Sequence, residues 1–207
     1  MATNYDSIAG SYDFLSRLVF GRSLVDAQLC LLPYIPAGSR ILVAGGGTGW
    51  ILESIADIYP DGLHIDYVDS SERMLTIAMK RNYKGNTVSF IHQPIENYSA
   101  SPLYDVIITP FLFDNFTEEK AHTVFLKLND LLRSNGLWLY TDYVSTVQGP
   151  FWQKLLLWTM YFFFRMVSHV EAKRMTEMSK YFGQSYKVEF ETSHYSGFIS
   201  SIAYRKM

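Results

Sequence analysis

Apolar and polar positions along this chain follow two alternating periods, one helical and one extended. Tyr5, Ile8, Tyr12 and Leu15 share one helical stripe, and Leu24, Ala27 and Leu31 share another, with Gly21 as the break between them. Pro33, Pro36 and Gly38 stop the second helix and lead into a strand over Arg40 to Ala44. Four glycines interrupt the pattern at 45–49, after which Ile51, Leu52, Ile55 and Ala56 resume helical spacing as far as Tyr59-Pro60. A second strand is predicted over Leu63 to Val68, followed by the helix-start signal Asp69-Ser70-Ser71 and the apolar face Met74, Leu75, Ala78 and Met79. Thr87 to Ile91 reads as a third strand, and Tyr104 to Thr109 as a fourth whose unbroken apolar centre suits burial on both faces. Thr117-Glu118-Glu119 caps a helix that runs to about Leu132 with its acids at the positive end, Asn135-Gly136 ends it, and Leu137 to Tyr140 is the fifth strand.

Alternation of this kind predicts an α/β domain built on a doubly wound, mostly parallel sheet, with any ligand lying across the carboxyl ends of the strands. The last part of the chain changes in kind. Gly149-Pro150 opens a strongly aromatic helical stretch, LLLWTMYFFFRMV over 155–167, and a polar amphipathic helix is expected from about Glu171 to Phe182. Lys187, Glu189 and Glu191 then alternate with Val188, Phe190 and Thr192, and Gly197 to Tyr204 is a further strand, so the chain closes on an antiparallel pair. One domain over 1–207 is expected, with a helical lid at 1–38, a core at 39–145 and covering helices plus closing strands at 146–207.

Composition narrows the partners. A net charge of -2 gives no electrostatic reason to expect nucleic acid. The apolar stretch at 155–167 is shorter than the roughly 18 residues that argue for a membrane span, so stable membrane insertion is not expected. Met1 to Asp6 lack an apolar signal core, and the single Cys30 has apolar neighbours, which together point to a cytoplasmic, reducing compartment. A homodimer is compatible with such a chain. His92, His122 and His194 are scattered without metal-ligand spacing, and no metal site is expected.

The chemistry concentrates at Ile41-Leu42-Val43-Ala44-Gly45-Gly46-Gly47-Thr48-Gly49-Trp50. Glycines at a strand end allow positive φ and close approach of a ligand to the backbone, and the next helix directs N–H groups at it. The Lys of a phosphate-binding Walker loop is absent, and Trp50 stands where a dinucleotide fingerprint needs a third small residue. Gly45-x-Gly47-x-Gly49 instead resembles motif I of the class I S-adenosylmethionine-dependent methyltransferases. Asp69 follows about 20 positions later, the distance at which an acid can accept hydrogen bonds from ribose hydroxyls. Tyr67-Val68-Asp69-Ser70-Ser71-Glu72-Arg73-Met74-Leu75 resembles the second motif of that family, and Leu132-Arg133-Ser134-Asn135-Gly136-Leu137 resembles its approach to the fifth strand.

The resemblance covers Arg40 to Asp142 and implies a Rossmann-like fold with S-adenosylmethionine as cofactor. It implies that Gly45, Gly47, Thr48 and Gly49 pass under the methionine portion and ribose, and that Asp69 holds the ribose. Ser70 and Met74 would flank the adenine, Ile95 and Glu96 would lie near its amine, and Phe111 near the transferable methyl. The first segment, with Tyr5-Asp6 and Tyr12-Asp13-Phe14-Leu15, resembles the lid helices of ubiquinone/menaquinone biosynthesis methyltransferases and their small-molecule relatives, in which Tyr12 would close over the cofactor. Two positions depart from the family pattern: Val43 replaces an acid and Pro94 an aspartate. Each removes a polar anchor, and a non-catalytic cofactor-binding or interaction module of the same fold is the alternative reading.

Methyl transfer from a sulfonium is an in-line displacement that needs alignment and exclusion of water rather than a nucleophilic side chain. No catalytic residue is assigned; if the acceptor must lose a proton, His169 and Asp142 are the candidates. Thr109-Pro110-Phe111 lacks the polar residue and second proline found in enzymes that methylate amines of nucleic acid or amides of protein. A small-molecule methyl acceptor is therefore expected, apolar or aromatic in view of Trp152, Trp158, Tyr161 and Phe162 to Phe164.

Overall fold

The computed structural model describes residues 20–144 and 176–207. The helical lid before Phe20, the aromatic helix at 155–167, Tyr12 and His169 lie outside the described residues. Seven strands form one sheet: β1 (Arg40–Ala44), β2 (Asp61–Asp69), β3 (Gly85–His92), β4 (Tyr104–Pro110), β5 (Leu132–Tyr143), β6 (Tyr186–His194) and β7 (Ile199–Lys206). Their spatial order is β3-β2-β1-β4-β5-β7-β6. The first five pair in parallel, and β7 runs antiparallel to both β5 and β6.

Side chains of successive residues on β1 point to opposite faces, and each face has its own core. Ile41 and Val43 pack with Ile65, Tyr67, Val106 and Ile108 against α2 (Trp50–Ile58) and α3 (Glu72–Ala78). Leu42 and Ala44 face the other side, where Trp138 and Tyr140 meet α4 (Glu118–Leu131) and α5 (Ser179–Phe182). The first helix, α1 (Ser23–Leu29), buries Leu24 and Ala27. Capping follows the sequence: Ser71 accepts from the Met74 N–H at 3.1 Å, and Thr117 accepts from Lys120.

Beyond shifts of a few residues at strand ends, three local features depart from expectation. Asn135-Gly136 does not end α4 but sits inside β5, which starts at Leu132. Asn135 takes φ 64, and the register against β4 slips between Tyr104 and Val106, so the pair forms an irregularity in the strand. Of the amphipathic helix expected to Phe182, the described part is helical only from Ser179. Val188 is exposed rather than inward, because the β6–β7 register shifts between Val188 and Phe190.

The sheet reverses its direction of growth between β1 and β4. Chain entering β2 and β3 builds one side and chain entering β4 and β5 the other, so the carboxyl ends of β1 and β4 open a crevice between diverging connections. The glycine turn lies at that point.

Candidate functional site

Each glycine of the turn has a separate reason to be glycine. Gly45, Gly47 and Gly49 hold φ of 71, 64 and 78, the left-handed region. Gly46 has no such φ, but a Cβ there would fall 2.3 Å from the Tyr67 hydroxyl. Tyr67 is fully buried and its hydroxyl donates to the Gly47 carbonyl at 3.2 Å, so it props the turn from beneath. At Gly47 a Cβ would meet no protein atom within 4 Å; it would enter the open space of the cleft that Gly47 lines.

That cleft encloses about 1120 Å³ when the open solvent at its mouth is included. Asp69, at the end of β2, stands on its wall, with Oδ2 accepting from the Gly47 N–H at 3.0 Å and Oδ1 from the Ser71 N–H at 2.8 Å. The two bonds fix an acceptor beside the turn and tie the end of β2 to the end of β1. Further round, Ser70, Met74, Ile95 and Glu96 line the same wall, and Glu96 pairs with Lys120 at 2.9 Å. Phe111 lies across the cleft at φ 50, a left-handed conformation for a non-glycine residue, held by its N–H donating to the Thr141 carbonyl at 2.8 Å. Its ring packs 4.9 Å from that of Tyr143.

Of the residues named from sequence, Gly45, Gly47, Thr48, Asp69, Ser70, Met74, Ile95, Glu96 and Phe111 come together on this one cleft. Gly49 does not line it. Its Cβ would meet Ala78 Cβ at 2.6 Å and Cα at 2.7 Å, so Gly49 lets the start of α2 pack on α3. Val43 is fully buried in the apolar core and contributes no polar group. Pro94 lines the cleft beside Gln93, whose N–H donates to the Asp69 carbonyl at 3.1 Å.

The cleft also carries residues that no motif marked. Gln28 of α1 reaches the cleft from far earlier in the chain, and Tyr143 from the end of β5. Asp114 and Asn115 sit on a short 3-10 turn, Phe113–Asn115, directly after Phe111. Behind that turn Asp142 is almost completely buried and accepts from the Phe113 N–H at 3.0 Å and the Tyr143 N–H at 2.8 Å. Burial pushes the Asp142 carboxyl up to about 7, against the pull of those backbone donors. Burial and the neighbouring Asp142 charge together push Asp114 well above the usual carboxylate range. In sequence the pair is marked only by one acid four residues past the end of β4 and another at the end of the adjacent β5. Among the described residues no His, Cys, Asp and Glu group is placed to hold a metal ion, and no helix is long and apolar enough to cross a membrane.

Comparison with known proteins agrees with this geometry. Residues 41–136 match the family model for a methyltransferase domain. A malonyl-[acyl-carrier protein] O-methyltransferase of Bacillus anthracis is 32% identical over 104 residues, covering 50% of this chain and 37% of that protein. The chain therefore spans well under half the length of this curated relative. A ubiquinone/menaquinone biosynthesis C-methyltransferase of Vibrio parahaemolyticus is 25% identical over 162 residues, covering 72% of this chain and 60% of the relative. Among solved structures, the N-methyltransferase NodS of Bradyrhizobium japonicum, in complex with S-adenosyl-L-homocysteine, superposes with a TM-score of 0.65 at 13% identity, covering 88% of this chain and 83% of its own.

Proposed function

We propose that the chain is a class I S-adenosylmethionine-dependent methyltransferase that transfers a methyl group to a small molecule with an apolar or aromatic body, a reading supported by the methyltransferase-domain match over residues 41–136 and the methyltransferase relatives. The observation that carries the reading is the junction of Asp69 with the glycine turn: an acid fixed at the end of β2 by the Gly47 N–H, on the wall of a cleft at the switch point of the sheet.

The residues fit the cofactor. Gly47 presents bare backbone to the cleft, Asp69 supplies an acceptor for ribose hydroxyls, and Ser70 and Met74 flank the place of the adenine, with Ile95 and Glu96 at its outer edge. Gly45 and Thr48 complete the floor. When bound, S-adenosylmethionine supplies an electrophilic methyl on a sulfonium. The protein aligns the acceptor with that methyl and excludes water; Phe111 and Tyr143 offer aromatic faces suited to a cationic centre. No step requires a covalent enzyme intermediate. The missing acid at Val43 leaves the amino-acid end of the cofactor to be held by backbone groups of the turn. We place the protein in the cytoplasm, acting on a small acceptor rather than on nucleic acid.

Two measurements test this. Calorimetry with S-adenosyl-L-homocysteine should show one site per chain, and mass spectrometry of a metabolite extract incubated with methyl-labelled cofactor should reveal a labelled small molecule. Failure to bind either form of the cofactor refutes the proposal. Binding without transfer to any metabolite favours the non-catalytic module, for which the buried, apolar Val43 is the supporting observation.

A further inference from the structure

We propose that Asp114 is the acceptor-recognising residue of this cleft, and that the methyl acceptor presents to it a hydrogen-bond-donating group, a hydroxyl or an amine, rather than a carboxylate. The proposal rests on the methyltransferase reading and names the acceptor class of that same site.

Three features of the cleft carry it. First, Asp114 has its surroundings closed on the protein side and open on the cleft side: it is packed into the 3-10 turn after Phe111, yet retains surface and lines the cavity. Second, its position is fixed. Asn115 donates from Nδ2 to Asp114 Oδ1 at 2.7 Å and to the Phe111 carbonyl at 3.0 Å, while Asp142 holds the start of the turn through the Phe113 N–H at 3.0 Å. Third, Asp114 stands among Phe111, Leu112, Phe116 and Tyr143, and the other polar side chains nearby are engaged within the protein: Gln28 donates to the Leu24 carbonyl, Asn115 to Asp114 and the Phe111 carbonyl, and Lys120 pairs with Glu96. An apolar body would be received by the apolar and aromatic side chains, and the acid is left to orient its polar group.

The sign of the preferred group follows from the charges that face Asp114. Asp142 on β5 is the charged group whose field it feels, and buried Tyr140 lies close to both carboxyls. At the far edge, Lys120 of α4 is paired with Glu96 at 2.9 Å, so that cation is already matched by an anion. The surroundings of Asp114 thus carry a second buried acid, and the cation at their edge is matched. A carboxylate brought against the two acids meets like charge and an acceptor where it needs a donor. A hydroxyl or amine brings a donor to an acceptor, and a protonated amine also matches the charge.

The test uses the whole chain saturated with S-adenosyl-L-homocysteine and three probes with one apolar body: phenethylamine, phenethyl alcohol and phenylacetate, each titrated calorimetrically at pH 7.5. The amine or the alcohol should bind about tenfold more tightly than phenylacetate, and which of them binds better separates an N-acceptor from an O-acceptor. Asp114→Asn should abolish the discrimination while leaving homocysteine-form binding unchanged. Equal or tighter binding of phenylacetate to the wild type overturns the proposal, as does binding of none of the three, or a preference that survives in the variant. The wild-type comparison stands even if the variant misfolds. Failure of S-adenosyl-L-homocysteine to bind at the outset is a different result: it refutes the methyltransferase reading, and this proposal with it.

Discussion

Alanine substitution along the glycine turn separates the residues that leave room for a ligand from those that leave room for protein. At Gly47 the new Cβ has no protein atom within 4 Å, so its structural cost is that of a left-handed L-residue at φ 64, about 1–2 kcal/mol. At Gly49 the same backbone cost, at φ 78, is joined by a Cβ placed 2.6 Å from Ala78 Cβ and 2.7 Å from Ala78 Cα. The second atom is backbone and cannot swing aside, so overpacking of about 1–3 kcal/mol adds to the strain, for about 2–5 kcal/mol in all. Gly46 carries overpacking alone, about 1–3 kcal/mol, against Tyr67. Removing the hydroxyl in Tyr67→Phe does not rescue Gly46→Ala, since ring carbons lie at 2.4 and 2.6 Å from the Cβ position. Urea denaturation, with unchanged m-values, reports the stability changes. Calorimetry with S-adenosyl-L-homocysteine reports affinity in the variants that remain folded. Gly47→Ala should therefore show the smallest loss of stability and the greatest loss of affinity, and Gly49→Ala should rank the other way. Wild-type affinity in Gly47→Ala would mean that no ligand approaches the backbone there. Full stability in Gly49→Ala would refute the α2–α3 packing on which the fold of the turn depends.

Three further outcomes are expected. Asp69→Ala removes a carboxylate bonded to the Gly47 and Ser71 N–H groups and should weaken binding of S-adenosyl-L-homocysteine by about 1.5–3 kcal/mol, read by calorimetry; an unchanged affinity rejects it as the ribose anchor. Asp66 accepts from Arg40 at 2.7 Å, Tyr104 at 2.5 Å and Tyr98 at 3.2 Å near the opposite end of the sheet, so Asp66→Ala should cost about 2–3 kcal/mol in urea denaturation with cofactor affinity retained. Stability should fall as pH rises from about 4 through about 7, because the folded state keeps protons on Asp114 and Asp142 that the unfolded chain has already released; Asp114→Asn should flatten that decline in denaturation midpoints, and a decline of the same size in the variant counts against the pair.

The order of elements from β1 to α4 was legible because β1 and β4 are buried on both faces and the strands are bounded by turn residues. Arg40 to Ala44 is recovered residue for residue. Where sequence and structure part, a local rule lost to pairing. Asn135-Gly136 looks like a helix stop, yet β4 offers hydrogen bonds to Leu132 as well as to Leu137, so the strand begins early and absorbs the glycine as an irregularity. Val188 fits the inward side of an alternating strand, but one extra residue before Phe190 reverses its direction. Such slips depend on the partner strand, which periodicity along a single segment does not contain.

The same distinction divides the cleft. Its cofactor side is written locally, because the glycine turn and Asp69 each act through backbone geometry at a strand end, and geometry of that kind demands particular residue types at fixed spacing. Its other side is assembled from Gln28 of α1, Phe111 and Asp114 of the connection after β4, and Tyr143 at the end of β5, which meet only once β5 is laid beside β4. Asp142 illustrates the consequence. It stands out in sequence as an acid at a strand end and a candidate base, yet the structure turns it inward to hold the Phe113–Asn115 turn, and it is Asp114 of that turn that lines the cleft. A residue that positions another leaves the same mark in sequence as one that meets a ligand; Asp69 and Asp142 both accept from backbone N–H groups, and what separates them is that Asp69 lines the cleft and Asp142 does not. Asp142 directs its acceptors to the Phe113 and Tyr143 N–H groups behind the turn, and the acid that lines the cleft from that turn is Asp114.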